Sequence, residues 1–198
     1  MLRSAAIAAH PAFSRALWRE LVIPALFVGA ILTSNNVLTA LPGVKLFDVL
    51  VFAAGFSLGL RRGATVAVAA WAVYGSANPW GMASVPLLAV LMASETLYAA
   101  AGVAARGLAG VGVARRTLVF AGAAVLATVA YDLATNAYTG LYWAGLAGGA
   151  ETGRWLLVAL LGPGALVFSA IHVTANLTLF PVVGPLAIAA ARRLGSGR

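Results

Sequence analysis

Apolar stretches separated by short polar or basic connections run along almost the whole chain, and six of them read as helices. They are Leu17–Leu41, Leu46–Leu60, Gly63–Ala77, Val85–Ala105, Thr117–Tyr138 and Pro163–Ala191. A bilayer core about 30 Å thick needs roughly 20 helical residues, and the first, fourth, fifth and sixth stretches meet that length. The second and third are shorter, with Asp48 and Arg61 bracketing the apolar part of the second. That length suits a re-entrant segment, but re-entry would put Arg61 and Arg62 on the side of the first loop. Two short crossings keep the charge pattern regular.

The pattern in question is the placement of the arginines. They fall at Arg3, Arg15 and Arg19, at Arg61 and Arg62, between Arg106 and Arg116, and at Arg192, Arg193 and Arg198. The connections around Pro42 to Asp48, Asn78 to Ser84 and Thr139 to Trp155 carry almost no net charge. Every second connection is therefore basic. Basic loops stay cytoplasmic, so the alternation predicts an all-α integral membrane protein: one bundle of six transmembrane helices with both termini cytoplasmic. Residues 1–16 form a cytoplasmic lead-in, 17–191 the bundle and 192–198 a basic tail.

Composition agrees. Of 198 residues, 62% are hydrophobic and 9% charged, against about 25% charged in an ordinary soluble domain. A net charge of +8 would suit nucleic acid only if the basic residues gathered on one face with aromatic or polar partners. Here they mark membrane edges, and no nucleic-acid role is expected. Cysteine is absent, which excludes disulfides and thiolate metal sites. The apolar run after Arg3 is short and broken by His10 and Pro11, unlike a cleavable signal peptide. Tyr142, Trp143 and Trp155 in the longest connection suggest a loop or short helix over the outer face.

Ionisable groups inside a bilayer are costly and normally mark function. The candidates are Glu95, Asp132 and His172, with Asn136 and Asn176 one turn beyond the latter two; a spacing of four puts each pair on one helix face. At about 1.5 Å per residue, Asp132, Asn136 and His172 fall in the outer half, and Glu95 and Asn176 near the midplane. Trp71, Tyr74, Ser76, Asn78 and Tyr98 can join them around a cavity open to the outside. Asp48 and Glu151 read as interfacial, solvated or paired with Lys45 and Arg154. The bland alternative is that these polar groups only cross-link helices.

Motif chemistry is thin. Gly55-Phe-Ser57-Leu-Gly59 has the spacing of a nucleophile elbow, which needs a strand-to-helix turn with a His and an acid in reach, whereas here it lies in an apolar helix. The element His172-x-x-x-Asn176 resembles part of rhomboid-type intramembrane proteases, but the only other histidine, His10, lies outside the bundle. Glu95, Asp132 and His172 lack zinc-ligand spacing, and no Walker-type loop is present. No enzyme, metal or cofactor is expected.

The run from Phe52 through Gly55 and Gly59 to Gly63, continued in Gly75-Ser-Ala-Asn78-Pro79-Trp80-Gly81, resembles the second and third helices of the substrate-binding S components of energy-coupling factor (ECF) transporters. Tyr131-Asp132-Leu-Ala-Thr-Asn136, His172-Val-Thr-Ala-Asn176 and Gly184-Pro185-Leu186 extend the resemblance over residues 45–190. It implies a subunit in a prokaryotic plasma membrane that captures a small vitamin-like molecule from outside with high affinity. Its partners would be an ECF transmembrane coupling subunit and two cytoplasmic ATPases, besides membrane lipid. The implied substrate site comprises Glu95, Tyr98, Asp132, Asn136, His172, Asn176, Asn78, Trp80 and Trp143, beneath Asn35, Asn36 and Tyr142. Ala25 and Gly29 match the small residues that dock the coupling subunit. Acids and aromatics in such a pocket favour a cationic, thiamine-like ligand. Two other classes stay open: a self-contained carrier or channel using Asp132, Glu95 and His172 as a proton or ion relay, and a scaffold protein.

Overall fold

A computed structural model of the chain describes residues 16–41, 43–79, 81–108 and 112–196. Seven helical segments make up the described residues. Helix α1 covers Trp18–Val37, its first turn a π-turn. It is followed by α2 (Phe47–Leu58), α3 (Leu60–Tyr74), α4 (Val85–Leu108), α5 (Val113–Leu146), α6 (Thr152–Leu161) and α7 (Pro163–Ser196). Four stretches are long and apolar enough to cross a membrane: α1, α4, α5 and the pair α6–α7, which only Gly162 interrupts. The lead-in up to residue 15, and with it Arg3, His10 and Arg15, lies outside the described residues, as do residues 197–198 of the tail.

The hydrophobic stretches map onto helices in the expected order, and the lengths differ in a physically informative way. Helix α2 has 12 residues, about 18 Å, too short to cross a bilayer alone. It does not need to, because Phe47 to Phe56 are all buried by the surrounding protein. A helix enclosed by its neighbours is released from the thickness of the lipid core, which constrains lipid-exposed backbone. Its partner α3 starts one residue later: Gly59 at φ +94° reverses the chain with no loop, a conformation that favours glycine.

Close backbone approach holds this hairpin. A Cβ on Gly63 would sit 2.8 Å from Gly55 Cα. On Gly55 it would overlap the Ala99 carbonyl, and on Gly102 the Phe52 carbonyl. The four-residue glycine spacing therefore serves contacts within the bundle, among α2, α3 and α4. The opposite kind of surface faces outward: Leu118, Leu126 and Leu133 along α5 are 73%, 74% and 52% exposed, a stripe suited to lipid.

The connection expected as a loop or short helix beyond Tyr138 is helical over most of its length. Helix α5 continues to Leu146, and α6 folds back on it, with Gly140 close to the Leu156 backbone. Glu151, at φ 57°, ends the turn between them and pairs with Arg154 at 2.7 Å, as expected.

Candidate functional site

Both long outer helices carry a polar residue at the same depth, and α2 brings a third. His172 of α7 stands between two carboxylates: Nδ1 is 2.8 Å from Asp132 Oδ1 on α5, and Nε2 is 2.7 Å from Asp48 Oδ2 on α2. All three side chains are buried. A neutral imidazole has one N–H, so both contacts are hydrogen bonds only if the ring carries two protons or a carboxyl carries one. The chain of bonds continues. Asn176 Nδ2 donates to Asp48 Oδ2 at 2.7 Å and to Thr128 Oγ1 at 2.9 Å, and the Tyr98 hydroxyl reaches the same Thr128 oxygen at 3.2 Å.

The expected face-sharing of His172 and Asn176 is thus realised, and Asp132 and Tyr98 join them. Glu95 is fully buried on α4, where its Oε2 accepts from Trp71 Nε1 at 3.0 Å. Its other oxygen has no partner, nor has Oδ2 of Asp132. Two residues were missed by sequence reasoning. Thr128 sits one turn before Asp132, a spacing that could have signalled it. Asp48 had been expected at the interface, solvated or paired with Lys45; the pairing is present at 3.9 Å, the carboxylate is wholly buried rather than solvated, and its contact with His172 was not foreseen. The reason is that α5 and α7 are 34 residues each, so they extend well past the N-terminal end of α2. The connection from α1 packs against them, with Gly43 beside Ile171 and Lys45 over the Tyr131 ring, and delivers Asp48 to the level of His172.

Two expected site residues, Trp143 and Asn78, lie away from this cluster. Trp143 lies 11 positions past Asp132 on the same unbroken helix, about 16 Å further along it. It is 49% exposed there and stacks with Trp155 at 6.4 Å. Asn78 braces the turn after α3, donating to the Gly81 carbonyl at 2.8 Å. Asn136 is half-buried on α5, one turn beyond Asp132. Trp80 lies outside the described residues. Ala25 and Gly29 are both exposed on α1, and nothing lies within 4 Å of a Cβ added at Gly29, as a docking face would require.

Directly above the cluster lies a cavity of about 440 Å³, lined by Asn35, Thr39 and Val44 from α1 and its connection, by Lys45, and by Tyr74 and Phe168. Lys45 links the two. Its ammonium is 3.9 Å from Asp48 Oδ1 and lies 5.5 Å and 5.4 Å from the ring centres of Trp71 and Tyr131, within cation–π range. Asn35 is 4% exposed, yet neither atom of its amide has a partner. A buried, unpaired amide costs about 1–3 kcal/mol, which a ligand with complementary groups would recover. The preference for a cationic ligand rested on Glu95 and Asp132 facing the pocket. Neither lines this cavity, and the ionic group that does is Lys45.

At the other end of the bundle the arginines gather. Arg62 pairs with Glu20, Trp18 donates to the Leu194 carbonyl at 2.9 Å, and Arg106 donates to the carbonyls of Phe56 and Gly55 at 2.5 Å and 3.0 Å. These contacts join the start of α1, the α2–α3 turn and the ends of α4 and α7. No protein-family model, curated protein or solved structure matches the chain, and the functional reading rests on the polar cluster and the cavity beside it.

Proposed function

We propose that the protein is a membrane-embedded binding subunit without chemistry of its own. It crosses the bilayer six times with cytoplasmic termini, and captures a small vitamin-like molecule from outside for ATP-driven uptake through an ECF-type coupling subunit and its two ATPases. The observation that carries this reading is the cavity at the end remote from the arginines, where the buried amide of Asn35 is unpartnered and Lys45 offers an ammonium. Its volume of about 440 Å³ lies in the range of small-molecule sites. The ligand these groups suit is a small ring compound: an amide-like edge meets Asn35, a carbonyl or carboxylate meets Lys45, and Tyr74 and Phe168 cover its face. The Asp48–His172–Asp132 chain supports the floor beneath Lys45.

Mass spectrometry of small molecules co-purified with the protein in detergent, followed by titration of the identified compound, tests this reading. Tight binding is expected without ATP or an ion gradient, and Asn35→Leu and Lys45→Met should each weaken it at least about tenfold, the scale of one lost buried hydrogen bond. Binding untouched by both variants would sink the site assignment.

A second reading, the proton- or ion-coupled carrier, draws on one observation: His172 bridges two buried carboxylates, the kind of intramembrane group used in relays. Proteoliposomes containing the protein alone decide between them. The binding subunit leaves an imposed proton gradient intact, and the carrier dissipates it with its substrate.

A further inference from the structure

Three arginines from three helices line one cavity at the arginine end. Arg106 closes α4, Arg116 opens α5 and Arg192 stands near the end of α7; with Phe56, Phe120 and Pro185 they enclose about 430 Å³. Among the described residues no acidic side chain lines it. Arg106 is partly committed to the carbonyls of Gly55 and Phe56, which anchors it at the rim. Arg192 lies over the Phe56 ring at 5.8 Å. Among the described residues neither Arg116 nor Arg192 has a carboxylate partner. Three guanidinium groups around one cavity repel one another unless an anion sits among them, and planar guanidinium forks match phosphate oxygens.

A second feature points to an amphiphile. An apolar groove of about 580 Å³ runs between α4 and α5, floored by small residues such as Ala101, Ala104, Gly122 and Ala123. The two linings adjoin along α5, where Arg116 of the cavity stands three and seven residues before Val119 and Ala123 of the groove, on one helix face. Head-group chemistry and acyl-chain chemistry thus adjoin on one helix pair. We propose that this cavity is a specific site for an anionic phospholipid, whose phosphate is held by Arg116 and Arg192 with Arg106 at the rim, and whose acyl chain lies in the α4–α5 groove. Basic pockets between membrane helices are suited to such head groups. The site is independent of the cavity at the opposite end.

Native mass spectrometry of the full chain in detergent tests it, with phosphatidylglycerol and phosphatidylcholine of identical acyl chains added in competition. The wild-type protein should retain one phosphatidylglycerol in preference to phosphatidylcholine. Arg116→Gln with Arg192→Gln should cut that preference roughly 10- to 30-fold, the expected loss for two arginines at a charged lipid surface. Arg61→Gln with Arg193→Gln removes the same charge outside the cavity and should leave it unchanged. Gly122→Leu, at a position with nothing within 4 Å of an added Cβ, should fill the groove and weaken retention several-fold. Equal retention of the two lipids by the wild-type protein would overturn the proposal, and needs no variant to fold. So would an equal loss in the control pair, which would indicate general charge attraction. Displacement of phosphatidylglycerol by millimolar glycerol phosphate would also overturn it, marking a site for free phosphate rather than lipid.

Discussion

The two ends of α2 solve the same problem, a short helix buried on every side, by opposite means. At its N-terminal end Asp48 is held by side chains, His172 and Asn176, with Lys45 nearby. At its C-terminal end there are almost no side chains to bond: Gly55, Gly59 and Gly63 let backbones touch, and Arg106 takes the carbonyls of Gly55 and Phe56. Each end adjoins a cavity of similar size, one lined by Asn35 and Lys45 and the other by Arg106, Arg116 and Arg192. Between α2, α3 and α4 themselves, the glycines allow backbone contact that leaves no such space.

The largest expected effect breaks the glycine end. Gly102→Leu would drive a Cβ into the Phe52 carbonyl and should remove the monodisperse species on size-exclusion chromatography, a loss above about 4 kcal/mol. A folded Gly102→Leu protein would show that the close approach is dispensable. Next comes the polar end. Asp48→Ala leaves His172 and Asn176 without their shared acceptor and should lower stability by about 3–5 kcal/mol, read as thermal unfolding in detergent. If it melts no earlier than Glu151→Ala, at an exposed ion pair, the cluster does not support α2.

A finer probe is Thr128→Val, which deprives both the Tyr98 hydroxyl and Asn176 Nδ2 of an acceptor. A loss of about 1–3 kcal/mol is expected, and a double-mutant cycle with Tyr98→Phe should show coupling; additivity would mean that the two bonds are independent. The smallest effect on stability belongs to Gly29→Leu. With open space around it, the variant should melt within about 0.5 kcal/mol of wild type and bind ligand normally, while association with a coupling subunit falls. Undiminished association would remove α1 as the docking face.

Much of this layout was legible along the chain. The apolar stretches located α1, α4, α5 and α7, and the four-residue steps from Asp132 and His172 named residues of the cluster before any fold was known. Of Asp48, the pairing with Lys45 was legible from their spacing of three. Its contact with His172, 124 positions away, was not. Trp143 failed for the converse reason. Its aromatic neighbours suggested a loop or short helix lying over the bundle, but the uninterrupted rise of α5 carries it away from His172.

By itself, the sequence determined that the described chain is helical and largely apolar, and which helix faces carry acids, amides and histidine, because periodicity and composition are local properties. Tertiary structure alone decided which of those faces meet. Asp48 became the partner of His172, and Asn35 and Lys45, rather than Glu95 and Asp132, came to line the cavity beside the cluster. Such pairings depend on relative helix lengths and on how closely backbones approach, and neither is encoded within any one segment.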